Sequence, residues 1–79
     1  MNGIEFLNSV NVSQAMLSRR MGCSRQNVTV WFTGKKACSA RSIEKITEAL
    51  NELGVKVTQP YIYGVLLASR QEYEKTKGA

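Results

Sequence analysis

Apolar positions recur at helical spacing in five stretches, and only Val55-Lys56-Val57 alternates as a strand would. The first stretch runs from about Ile4 to Val10, with Ile4, Phe6 and Leu7 as its apolar side. Ser13 suits the N-cap of a second helix reaching about Met21, because its hydroxyl can accept an unpaired first-turn amide. Met16, Leu17 and Met21 are its apolar residues, and Gly22 ends it where a left-handed residue costs little. After Cys23, Ser24 can cap a third helix from Arg25 to Phe32 or Thr33, with Cys23 and Val28 spaced as a hydrophobic staple. Gly34 stops that helix, and a basic loop follows, Lys35-Lys36-Ala37-Cys38. Ser39 or Ser42 starts a fourth helix, in which Ile43, Ile46, Leu50 and Leu53 keep helical spacing up to Gly54. Pro60 suits the first turn of a fifth helix of about residues 60–74, with Ile62, Val65, Leu66, Ser69 and Tyr73 on one side. The tail from Glu74 to Ala79 is expected to fray. No internal repeat, linker or low-complexity segment interrupts this pattern.

Seventy-nine residues make one small domain, 1–79, the expected organisation. At 43% hydrophobic and 22% charged, the composition is that of a globular protein and excludes wholesale disorder. No apolar run approaches the roughly 18 residues of a membrane span. The N-terminus lacks the basic start and apolar block of a signal peptide, so a soluble, cytoplasmic, nucleoid-associated protein is expected. Histidine is absent, which removes the commonest general base and metal ligand. Cys23 and Cys38 form no CxxC pair and are read as free thiols. A non-enzyme with no cofactor and no metal is the resulting expectation.

Charge changes the picture more than composition does. Eleven Lys and Arg stand against six acidic residues, a net +5. Between Asn11 and Ile43 lie Arg19, Arg20, Arg25, Lys35, Lys36 and Arg41 with no acidic residue, so the rest of the chain sums to −1. A nearly neutral scaffold carrying one basic block points to a polyanion partner. The second and third helices lie in that block, joined by a short turn around Met21-Gly22-Cys23, a helix-turn-helix of about residues 13–34. At about 100° per residue, Val28, Trp31 and Phe32 fall on one side of the third helix, and Gln26, Thr29, Val30 and Thr33 broadly on the other. Arg25 sits at its leading end. Arginine can bond guanine, glutamine adenine, and the methyls of threonine or valine can meet thymine, which suits this face to the major groove.

Ser13-Gln14-Ala15-Met16-Leu17-Ser18, Gly22 through Trp31 and Gly34-Lys35-Lys36 resemble the phage Cro and lambda-repressor-like helix-turn-helix proteins, also called the Xre type. The resemblance covers about Val12 to Val55, and the spacing of Gln14, Gly22 and Gly34 is its most specific part. It implies an all-α, five-helix, lambda-repressor-like DNA-binding domain. It also implies that Arg25 and Gln26 read bases first and Thr29 and Val30 next. Gln14 would bind a phosphate, and Asn27, Thr33, Lys35 and Lys36 would meet the DNA backbone. Arg19 and Arg41, in the same block, are further candidates for backbone contacts. Two residues depart from the family pattern: Ser18 replaces a usual alanine, so its hydroxyl needs a local partner, and Phe32 stands where glutamate is common. Val28 to Lys36 is also similar to the Trp-Phe core of a homeodomain recognition helix, although its adenine-binding asparagine would fall at Gly34.

These features predict a regulator that binds a double-stranded DNA operator as a homodimer, a Cro-like phage or prophage repressor. Its dimer surface is expected between Leu53 and Tyr73, with no membrane and no small-molecule ligand. The alternative is an antitoxin or adaptor that grips a protein through its C-terminal helix and binds DNA for autoregulation.

Overall fold

The computed structural model describes residues 2–77, whose five helices are α1 (Gly3–Ser9), α2 (Gln14–Met21), α3 (Arg25–Thr33), α4 (Ala40–Glu52) and α5 (Gln59–Lys77). Short polar side chains start them. Ser13 Oγ accepts from the Met16 amide at 3.0 Å, Ser24 Oγ from Asn27 at 3.2 Å, and Ser39 Oγ from Ser42 at 3.2 Å. Each bond satisfies one of the four amides that a helix start leaves without an internal partner. Helix α1 begins one residue before Ile4, because Asn2 and Glu5 form a reciprocal capping box with bonds of 2.9 and 3.0 Å.

The fold is all-helical, with no strand among the described residues. Val55-Lys56-Val57 does not become one. Asn51 Nδ2 donates to the Val57 carbonyl at 3.1 Å, and both valines pack half-buried against the core. The tail does not fray at Glu74 either, since α5 continues to Lys77. Arg70 pairs with Glu74 one turn on, and Thr76 Oγ1 donates to the Glu72 carbonyl at 3.0 Å. Gly78 and Ala79 lie outside the described residues.

One apolar cluster draws on every helix: Phe6 and Leu7 from α1, Leu17 from α2, Val28 and Phe32 from α3, Ile46 and Leu50 from α4, Ile62 and Leu66 from α5. Helix α3 packs on α1, α2 and α5, while α4 bridges α2 and α5. The helix with the exposed Arg25-Gln26-Asn27 turn is therefore held by three neighbours. Phe32 is fully buried, which settles its packing, whereas Trp31 on the same side is only half-buried. Met16 lies outside the core at 42% exposure, and the buried residues of α2 are Leu17 and Ser18. The buried Ser18 hydroxyl has its local partner, the Ala15 carbonyl at 3.0 Å.

Candidate nucleic-acid interface

The joint between α2 and α3 is tight because Gly22 takes a left-handed conformation, φ 71° and ψ 29°. That conformation lets the Gly22 amide donate to the Arg19 carbonyl and the Cys23 amide to the Ser18 carbonyl, at 3.3 and 3.1 Å. These two bonds satisfy carbonyls at the end of α2 and hand the chain directly to the Ser24 cap. Gly34 ends α3 in the same conformation, φ 87°. It is buried against the α5 backbone at Ser69, with no room for a side chain.

The face between these two glycines carries the expected readers. Arg25, Gln26 and Asn27 are exposed on the first turn of α3, and Thr29, Val30 and Thr33 are half-buried farther along. The Thr29 hydroxyl bridges to the Gln14 side-chain oxygen, so the first residue of α2 is tied to the middle of α3. Gln14 and Arg25 also line one cleft of about 270 Å³, with Asn8 and Ser13 beside them. With its oxygen committed to Thr29, Gln14 keeps its Nε2 amide as a donor, the polarity a phosphate oxygen requires. The Thr33 hydroxyl donates to the Thr29 carbonyl at 2.6 Å, so its proton is used within the helix.

Arg19 and Arg41 are exposed in the last turn of α2 and the first turn of α4, and Lys35 and Lys36 are exposed after Gly34. Among the described residues the only ion pairs are Arg20–Glu52 at 3.8 Å and Arg70–Glu74 at 2.8 Å. Arg19, Arg25, Lys35, Lys36 and Arg41 therefore have no carboxylate partner there, and their charge is left for an external anion. The Arg20–Glu52 pair is solvent-exposed on both sides and contributes little to stability.

The family model of a helix-turn-helix class, the type of Xre, Cro and CI-like proteins, matches residues 4–55. The chain belongs to this helix-turn-helix family. No match is found among curated proteins or among solved structures. This member of the family is a DNA-binding regulator with a lambda-repressor-like fold. The homeodomain likeness ends at Gly34, where α3 stops and two further helices follow.

The matched segment of the helix-turn-helix family closes before α5, yet α5 holds the start of α1 and the loop after α3. Ser69 Oγ accepts from the Gly3 amide at 2.6 Å and donates to the Val65 carbonyl at 3.2 Å. Arg70 Nη1 donates to the carbonyls of Gly34 and Lys35 at 2.8 and 3.0 Å. Sequence spacing places Ser69 on the core side of α5, but nothing local to Arg70 marks it as a partner of a loop 35 residues earlier. Cys38, at the end of that loop, is half-buried; desolvation pushes its thiol up to about 11, against a smaller lowering by its Ser42 hydrogen bond. It is a neutral thiol at physiological pH, neither nucleophile nor metal-ready thiolate. Among the described residues, no three His, Cys, Asp or Glu side chains gather as a metal site would need, and no helix is long and apolar enough to cross a membrane.

Proposed function

We propose that the chain, working as one domain, represses transcription by binding a specific duplex operator through α3. The reading rests most on five of the six cations of the acid-free block: Arg19, Arg25, Lys35, Lys36 and Arg41 lie on or around the exposed Arg-Gln-Asn turn and, unlike Arg20, have no carboxylate partner among the described residues. Arg25, Gln26, Thr29 and Val30 read base edges, while Gln14, Arg19, Asn27, Lys35, Lys36 and Arg41 hold the phosphate backbone, and Thr33 joins them only by giving up its bond to the Thr29 carbonyl. An operator overlapping a promoter would then exclude polymerase, the mode of a Cro-like phage or prophage repressor.

Two copies on a two-fold site double the few contacts that one short helix can make, and their recognition helices must lie about 34–36 Å apart. The pairing surface is assigned to the Leu53–Tyr73 region. Tyr63 and Leu67, one turn apart on α5, are exposed there, whereas the exposed Tyr61 already packs its ring on Phe6 at 5.7 Å between centroids. Dimerisation is weak in solution and completed on DNA, because so small a chain has little apolar surface to spare from its core.

Salt titration of the DNA complex tests this reading. With about three to five phosphates neutralised per subunit, log affinity falls against log salt with a slope of about −0.9 per phosphate. Lys35→Ala and Lys36→Ala each flatten the slope by about 1 and weaken binding to all sequences alike. The same titration on an isolated half-site reads stoichiometry and is expected to give weaker binding. A salt-insensitive complex contradicts the surface, and equal half-site affinity with one chain per duplex contradicts the dimer.

A further inference from the structure

We infer that Arg70 is a positioning residue for DNA binding: it touches no DNA itself, but fixes the loop after α3 so that Lys35 and Lys36 meet the phosphates as a pre-set pair. The inference rests on the DNA-binding reading above and adds a residue outside the segment matched by the family model, which ends at Val55. Three observations carry it.

The first is the geometry of the guanidinium. One nitrogen, Nη1, serves two successive carbonyls, Gly34 at 2.8 Å and Lys35 at 3.0 Å, and so reads the direction of the chain as it leaves α3. A charged donor on a neutral carbonyl makes a stronger bond than a neutral one, and the planar guanidinium fixes its angle.

The second is what the loop otherwise lacks. A groove of about 320 Å³ lies between it and α5, lined by Lys36, Ala37, Cys38, Ile43, Leu67 and Arg70 among others. Side-chain packing holds the far end of the loop at Cys38, half-buried against the core, but leaves Lys35, Lys36 and Ala37 exposed beside the groove. At its lysine end the other hold is a backbone bond from the Lys36 amide to the Val30 carbonyl at 3.2 Å.

The third is Glu74. Its carboxylate takes Arg70 Nη2 at 2.8 Å, which aims Nη1 at the loop and offsets a cation that would otherwise repel Lys35 and Lys36. The charges of the two lysines stay available while the backbone that carries them is held. Without the clamp, this order must be created on binding, and fixing one loop residue then weakens affinity by about tenfold.

Arg70→Met keeps the aliphatic stem and removes every donor. Two readouts are taken: amide hydrogen exchange over residues 35–38 in the free protein, and DNA affinity with and without Lys35→Ala and Lys36→Ala. Faster exchange over the loop is expected, with an affinity loss of about tenfold that vanishes once both lysines are already alanine. Glu74→Gln should give the same pattern at about threefold, the size of a partly exposed helical pair. Unchanged exchange in Arg70→Met overturns the inference. So does an affinity loss of equal size in both backgrounds, the mark of a general effect on stability. If the unaltered protein binds no DNA, the functional reading falls and the role of Arg70 in binding with it, and the exchange arm then records only a loop tether.

Discussion

Phe32→Ala is expected to lower unfolding stability by about 3–5 kcal/mol, as for other large aromatic core truncations. Among fully buried side chains Phe32 is the largest, and it belongs to the helix that touches α1, α2 and α5. Its Cδ2 and backbone lie against Gly3, so the ring also seats the start of α1. A loss of that size is a large share of the roughly 5–15 kcal/mol that holds an ordinary domain together. Urea unfolding of the free protein checks it. Trp31→Ala serves as the control, because the half-buried indole leaves a smaller void and is expected to cost less. A larger loss at Trp31 than at Phe32 would mean that α3 is rotated about its axis from the orientation described, and the reading face with it.

The second large effect falls on Gly34→Ala. A left-handed conformation costs an L-residue roughly 1–2 kcal/mol, and forcing an extra carbon into packed structure adds about 1–3. At Gly34 both apply, since φ is 87° and an added Cβ would run into the Ser69 backbone. The expected destabilisation is therefore roughly 2–5 kcal/mol, together with weaker DNA binding as α3 and α5 are pushed apart. Gly22→Ala isolates the conformational part. Its φ is 71° but nothing stands within 4 Å, so only about 1–2 kcal/mol should be lost. Denaturant titration of the two variants separates the contributions, and equal losses would show that the α3–α5 approach is not tight.

Features set by neighbours in the chain were legible in the sequence. The Ser13 and Ser24 caps, the Gly22 and Gly34 ends, and the buried Val28 all follow from interactions within a few residues. The capping box of Asn2 and Glu5 was equally local, and its Asn-x-x-Glu spacing was the signal for a start before Ile4. Met16 was placed on the apolar side of α2 because side-chain chemistry alone cannot separate it from Leu17. The packing of α3 and α4 on α2 decides which part of that broad stripe is covered. The roles of Ser69 and Arg70 depend on contacts with Gly3 and Gly34, 66 and 36 residues away, and no periodicity encodes them. The length of α5 was underestimated for a related reason. A polar tail reads as frayed until Arg70–Glu74 and the tie from Asn2 to Glu72 at 3.2 Å are seen to support it.

The central claim, that α3 reads base edges from its exposed first turn, is tested most directly by selecting bound sites from random duplex DNA. The selection is run with the unaltered protein, with Arg25→Ala and with Gln26→Ala. One enriched sequence is expected from the unaltered protein. Gln26→Ala should keep the rest of that sequence and relax one base pair by about 1–3 kcal/mol, with no change in stability since Gln26 is exposed. Arg25→Ala should relax a different position. No enriched sequence from the unaltered protein, or the same preferences at every position from all three, would contradict the account.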